Sequence, residues 1–533
     1  MNKIIPLFFI LLTAPVFGQS FGWVNTGIGN DKIEGKKLVA AENEDIIVVG
    51  NFEGTGVFSG ESLTALGEED FFITKYDSAG THLWSRSYGG FEKDEIKDVE
   101  IGPNNTIYVC GSTEGAMILD TLVLENIDGK NGFLAQLDAT GNIVWAINIE
   151  SNDEISTNAV VLKESDSTAY ISGHFKDSAH IGSYSTSSFA NESFFVAAVD
   201  YLGNVVWVST GASQDEVEPA SIAIGADDAI CVLGNFEGNM LVGANVLPNS
   251  SDSDVFLLSL DPAGDFLWSK SIGGTNDVEG SGIVCDDLGN LFIIGNFEDE
   301  VHFNTDTLTS MDDKDGFFAK YSGNGVELWA KAFSGTSDVQ PKDIFMDNDK
   351  MLLITGAIDG TSYFDSVVVN NSSGTDLFIA RYDTIGTALW GKGIGGTGSV
   401  EGNAIIADTD NNPIVTGSFE ATAYFDEISI SGFSDHDFFI GKIYPTDDNT
   451  SIFENTSIKR RAILYPNPVR DEIHLRFENY KIPNQLHFEL TDAQGRHIKN
   501  VKWEKNRPIN ISALDSGLYF LKCRDVLLRF YKK

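Results

Sequence analysis

Apolar residues in this chain come in short runs such as DIIVVG and NLFIIG, each bounded by Gly, Asn, Asp or Ser, and not at the spacing of an amphipathic helix. The pattern predicts strands, and the strands repeat. Trp84, Trp145, Trp207, Trp268, Trp329 and Trp390 follow one another at intervals of 61, 62, 61, 61 and 61 residues. Gly50, Gly111, Gly173, Gly234, Gly295, Gly356 and Gly417 close an apolar run in the same phase. Counting 22 residues on from each Gly reaches Phe72, Phe133, Phe195, Phe256, Phe317, Phe378 and Phe439. DSAG, DATG, DYLG, DPAG and DTIG then supply a turn, with Asp bonding its own backbone and Gly free to take positive φ.

Each unit of about 61 residues therefore reads as four strands, the content of one propeller blade. A linear solenoid is the competing architecture, and the ends of the array choose between the two. Where the other repeats carry Trp, the last has Ser451, and the missing strand stands at the other terminus as Phe21-Gly22-Trp23-Val24. A last blade completed by an N-terminal strand closes a ring and leaves no open edge. The expectation is an all-β, seven-bladed propeller.

These residues resemble the bacterial seven-bladed propeller repeats. The clearest copy is GGTNDVEGSGIVCDDLGNLFIIGNFE followed by DGFFAKYSGNGVELW, and the resemblance covers about Phe21 to Tyr444. It implies a fold and a secreted location, and no single activity.

The chain has 533 residues, 42% of them hydrophobic, and 36 Lys+Arg against 78 Asp+Glu give a formal charge of -42. Such a charge repels phosphate backbones and argues against nucleic acid as a partner. Its distribution marks a boundary. From Lys459 onward 16 basic and 8 acidic residues give +8, which leaves -50 for the residues before them. Four segments are expected: a signal peptide over 1–18, the propeller over 19–444, a polar linker over 445–461 and a C-terminal β-sandwich over 462–533. Lys3, the apolar run from Ile4 to Phe17 and the small residues after it have signal-peptide anatomy, with cleavage between Gly18 and Gln19. The run is too short to span a bilayer, and no later stretch supplies a transmembrane segment for the mature chain. Cys110, Cys231, Cys285 and Cys523 form no CxxC pair and read as buried free thiols, with Cys231 and Cys285 the one pair that neighbouring repeats could bring together.

The C-terminal region contains Pro466-Asn467-Pro468, LTDAQGRHI, NISALDSGLYFLKC and a basic end. In that order these closely resemble the type A C-terminal sorting domain of the bacterial type IX secretion system. The resemblance implies that Asp492, Gly495, Gly517 and Tyr519 belong to the element read by the outer-membrane machinery, and that the cargo is released or fixed to the cell surface.

No HExxH, P-loop, GxSxG or EF-hand loop occurs, so no residue is assigned to catalysis. His82, His174, His180, His302 and His436 share no repeat position. Carboxylates do recur. Three residues after the marker Gly stand Glu53, Glu114, Glu237, Glu298, Asp359 and Glu420, with Lys176 in the third repeat; before each inner strand stand Asp31, Asp94, Asp153, Asp215, Asp277 and Asp338, with Ser399 in the seventh. Two acidic rings around one channel mouth would take calcium or a cationic partner, since hard cations use several oxygen ligands. Turn-forming Asp and solvated Glu account for the same pattern without a ligand. Asp70, Asp254, Asp315, Asp376 and Asp437, two residues before the Phe ring, read as strand-entry and turn residues. Two functions follow: a non-catalytic, secreted or surface-held module that binds polysaccharide or a surface protein, or a secreted polysaccharide hydrolase or lyase using mouth carboxylates.

Overall fold

The first repeat folds into four antiparallel strands, Ile33–Ala40, Ile46–Phe52, Asp70–Tyr76 and His82–Tyr88, laid side by side in chain order. Its second and third strands are buried at every residue, as befits a sheet covered on both faces. In this computed structural model the described residues are 18–446, apart from 127–128, 164, 372–373 and 435, and then 461–465, 472–478, 485–492, 496–504, 508–514, 517–523 and 526–532. The signal peptide expected over 1–18 thus lies outside the described residues except for Gly18. Two compact units separate, one spanning Gln19–Thr446 and the other containing Asp447–Lys533.

Six more sheets begin at Asp94–Gly102, Ile155–Lys163, Val217–Ile224, Val278–Cys285, Val339–Met346 and Val400–Ala407. The last of them takes its fourth strand, Gly18–Gly29, from the far end of the chain, next to Asp437–Thr446. First strands pack on first strands all the way round, and Val400–Ala407 packs back on Ile33–Ala40. This closed circuit of four-stranded sheets, first strands innermost, is a β-propeller.

The core lies between sheets, not at the centre. Phe58 and Phe72 of the first repeat, for example, share a cluster with Phe438 and Ile440 of the last. Hydrogen bonding reinforces each junction, because the end of every fourth strand pairs with the outer hairpin of the next repeat. The pairs are Gly89 with Ile118, Ile149 with Ile181, Gly211 with Val242, Gly273 with His302, Ser334 with Tyr363, Gly396 with Ala423 and, across the chain ends, Gly27 with Phe58.

Both sequence markers turn out to be contacts. Each marker Gly faces the Phe 22 residues on across neighbouring strands, as in Gly50 with Phe72 and Gly417 with Phe439. A Cβ at Gly50 would come within 2.7 Å of the Phe72 ring and 2.0 Å of the Glu34 carbonyl, so no other residue fits. The turn Gly of each repeat meets the Trp of the preceding one: Gly264, at φ +90°, would place a Cβ 2.7 Å from Trp207. Trp207 Nε1 also donates to the Pro262 carbonyl at 3.1 Å. Trp23, on the N-terminal strand, occupies the same place against Gly80. That strand therefore replaces the one absent after Asp437–Thr446 in its contacts as well as in its pairing.

In the C-terminal unit, Arg461–Tyr465, Glu472–Glu478 and Ile509–Asn510 form one sheet, and His497–Glu504, Gln485–Asp492, Gly517–Cys523 and Val526–Lys532 form another. Ile473 and Ile509 from the first share a core with Phe488, Leu490, Trp503, Tyr519 and Leu521 from the second. This is a small β-sandwich.

Candidate functional site

Second strands end, third strands begin and first strands start at the same end of every sheet, so the candidate residues gather on one face around the channel mouth. Glu53, Glu114, Lys176, Glu237, Glu298, Asp359 and Glu420 occupy one equivalent position. Their backbone N–H groups donate to the carbonyls of Lys32, Lys93, Glu154, Glu216, Asp277, Asp338 and Ser399 at 2.8–3.0 Å.

Those acceptors correct the second ring expected from sequence. Asp277 and Asp338 hold the acceptor position, Asp31, Asp153 and Asp215 stand one residue before it, and Asp94 stands one residue after it, inside the first strand. Counting back to a nearby Asp merged three registers whose side chains point different ways. Asp94 takes the position filled by Ile33, Ile155, Val217, Val278, Val339 and Val400 in the other sheets. It is 1% exposed and receives the Gly90 N–H at 2.5 Å, and burial pushes its carboxyl up to about 7. The rings do not form ligand sets either: among the described residues, no three His, Cys, Asp or Glu side chains converge as a metal ion would require.

A more regular acidic ring escaped the sequence reading. Glu34, Glu95, Glu218, Glu279 and Glu401, with Ser156 and Gln340, each pair with the residue after a marker Gly. Counting back from those glycines would have found them. Burial opposes ionisation of Glu34, yet Lys36 and Lys32, both at 2.9 Å, hold its carboxyl down at about 2. Glu95 sits likewise at about 2 among Lys97, Lys93 and Lys130. The side of the fourth and fifth sheets carries fewer cations. Glu216, Glu218, Glu237, Asp252, Asp277 and Glu279 line a recess of about 250 Å³ there, and burial together with its acidic neighbours raises the Glu237 carboxyl.

Below the mouth, Lys37 of the first sheet reaches Asp343 of the sixth at 2.7 Å, a pairing that crosses the channel because the seventh sheet lies between them. Asp343 also receives the Ile405 N–H at 2.8 Å, and Asp98 the Val160 N–H at 2.9 Å. These aspartates satisfy the free inner edges of the following sheets. Burial raises Asp98 to about 6 despite the charge of Lys37.

Lys176, which breaks the acidic pattern, and His174 lie in one local cluster of the third repeat, whereas Ser399 stands apart in the seventh. Lys176 pairs with Glu154 at 3.0 Å, and His174 lies 3.8 Å from Glu192. Burial lowers the imidazole and raises Glu192 to about 7, while Glu192 accepts the Val217 N–H at 3.0 Å.

The Asp set at third-strand entry has a definite task. Asp70, Asp254, Asp315 and Asp437 are at most 1% exposed, and each accepts the backbone N–H four residues earlier, from Leu66, Ser250, Met311 and Phe433, at 2.7–2.9 Å. The turns so held present large apolar side chains to solvent: Leu66 is 57% exposed, Met311 64% and Phe433 84%, with Phe189 at the same place in the third repeat also 84%. Phe91, 78% exposed, lies against the Gly67 turn. This face thus carries apolar studs, those at Leu66, Met311 and Phe433 held by buried carboxylates and that at Phe189 by a turn closing on the buried Ser193.

In the C-terminal unit, Asp492 pairs with Tyr519 and Gly517 with Lys532, so the strands carrying the sorting residues are neighbours, and Tyr519 is buried. Pro466, Asn467, Pro468 and Gly495 lie outside the described residues.

Residues 463–533 match the family described as the secretion system C-terminal sorting domain. That domain marks a protein for export by the type IX secretion system, to be released or held at the cell surface, and the propeller is its cargo. Among curated proteins, an uncharacterised WD repeat-containing protein of Acanthamoeba polyphaga mimivirus is 23% identical over 465 residues, covering 71% of this chain and 33% of its own length. Regulatory protein FlaEY of Caulobacter vibrioides is 23% identical over 219 residues, covering 37% and 22%. This chain therefore spans a third or less of either relative. Among solved structures, the Pan2 WD40 domain of Neurospora crassa is similar at a TM-score of 0.39 with 9% identity, over 76% of this chain and 88% of that one. A virginiamycin B lyase from Staphylococcus aureus reaches 0.38 with 10% identity, over 80% and 99%. No helix among the described residues is long and apolar enough to cross a membrane.

Proposed function

We propose that the propeller is a non-catalytic binding module, displayed outside the cell, that engages a surface protein or glycan through its mouth face. The observation that carries this reading is the rim of Leu66, Phe189, Met311 and Phe433. Side chains 57–84% exposed on turns anchored to buried groups are costly to keep in water without a partner to cover them. The acidic recess beside them adds selectivity for a partner bearing positive charge, or for hydroxyls that donate to carboxylates. Anionic surfaces are disfavoured by the same charge.

The most perturbed carboxyls support binding over hydrolysis. Asp94, Asp70 and Glu192 are buried, and each accepts a backbone N–H of its own fold. The test is binding of the exported chain to whole cells of the producing bacterium and to a glycan array, at low and high salt, with calcium and then with chelator. Phe189→Ser with Phe433→Ser should abolish retention without changing the melting temperature. Equal retention of the double variant, or hydrolysis of a polysaccharide by the wild type, would overturn the reading.

A further inference from the structure

Cys231 and Cys285 belong to different sheets, the second strand of the fourth and the first strand of the fifth, yet they occupy one apolar cluster. Both sulfurs lie beneath Gly225, where an added methyl would be 3.6 Å from Cys231 Sγ and 3.8 Å from Cys285 Sγ. Cys231 is 2% exposed, whereas Cys285 is only partly covered. Cys231 Sγ donates to Ser259 Oγ at 3.7 Å, and the closeness of the two thiols lowers the pKa of Cys231 while it and burial raise that of Cys285. Cys110, by contrast, is fully buried in another cluster and has no such neighbour.

We propose that Cys231 and Cys285 form a disulfide after export, joining the fourth and fifth sheets. The sorting domain sends the chain to compartments where disulfides form and persist, and the fold already gathers both sulfurs against one glycine. The oxidant is a protein disulfide. A thiolate of the pair attacks one of its sulfurs and displaces the other as a thiolate, giving a mixed disulfide. The remaining cysteine, as thiolate, then displaces the oxidant. One S–S bond forms in the propeller, one breaks in the oxidant, and the two cysteine protons end on the reduced dithiol. Of the two, Cys285 is the one open to solvent, where an oxidant can reach the pair. The link encloses the chain between the two positions and adds a covalent tie to a junction held by packing, by the pairing of Gly273 with His302 and by hydrogen bonds such as that from the Gly280 N–H to Asn235 at 2.7 Å.

The exported full chain is collected into an alkylating agent, digested without reduction and mapped by mass spectrometry. A peptide joining Cys231 to Cys285, about 2 Da lighter than the sum of its reduced halves, is expected, with alkylation at Cys110 after unfolding. Its disappearance in Cys285→Ser identifies it. Alkylation of both cysteines without prior reduction overturns the proposal. Melting provides a second reading: reductant should lower the wild-type midpoint by ~5 °C and leave Cys231→Ala/Cys285→Ala unmoved. A wild-type midpoint indifferent to reductant would refute a link that braces the two sheets.

Discussion

Asp437 tests how the ring is closed. The residue is fully buried, and its carboxylate receives the Phe433 N–H at 2.7 Å, the Ser434 N–H at 3.2 Å and, from the N-terminal strand, the Gly29 N–H at 3.1 Å. Asp437→Ala leaves three backbone donors without an acceptor in a site water reaches poorly. At about 1–3 kcal/mol for each donor stranded in the interior, and with the exposed turn recovering part of its loss through water, the cost comes to about 3–5 kcal/mol. Asp437→Asn keeps one oxygen but turns an amide N–H₂ toward donors, and should cost about half as much. Urea denaturation of the full chain at constant m-value gives the free energies. Amide exchange gives the location: protection should fall across Gly18–Gly29 in Asp437→Ala. It should stay unchanged there in Asp254→Ala, whose carboxylate holds only its own turn at Ser250. Stability within about 0.5 kcal/mol of wild type, with exchange in Gly18–Gly29 unaltered, would refute the idea that this carboxylate secures the closing strand.

Asp94 predicts a pH dependence. Its carboxyl is raised to about 7 in the folded state, so folding favours the protonated form; that stability is complete below the unfolded value near 4 and is lost as pH climbs to about 7. Asp94→Asn should therefore raise the melting temperature at pH 8, leave it nearly unchanged at pH 4.5 and flatten the profile between, with at most about 4 kcal/mol at stake; an unaltered profile would be the contrary finding. Gly264→Ala should cost about 2–3 kcal/mol and shift tryptophan emission, because a Cβ at φ +90° would press on Trp207; native emission and stability would count against the joint. Deleting residues 463–533 should leave the propeller folded but stop its appearance at the cell surface and in the medium, as judged by fractionation and immunoblotting. Undiminished export would remove the assigned role of that domain.

The repeat, the four strands in each unit and the strand missing from the last of them were legible because each is local or periodic. A Gly too close to a Phe ring, or to the Trp of the preceding repeat, must recur wherever the same joint recurs, so the spacing of 22 and the interval of about 61 residues carry three-dimensional contacts in one dimension. The sorting tail was legible for a similar reason, its turn and strand residues lying within one short stretch. The candidate site was less so. Asp31, Asp94 and Asp277 look alike as letters near a strand start, but shifting one residue along a strand reverses the face a side chain occupies, and only the pairing register separated an exposed acid from one buried where six other sheets have Ile or Val. The Glu34 ring was available to the same counting. Its neutralisation by lysines on one side and its openness near the fourth and fifth sheets were not, because those charges meet across sheets. The reach of Lys37 to Asp343, the turns that hold Phe433 outward and the meeting of Cys231 with Cys285 likewise arise only when the sheets close into a circuit, which brings side chains together by position around the axis and not by distance along the chain.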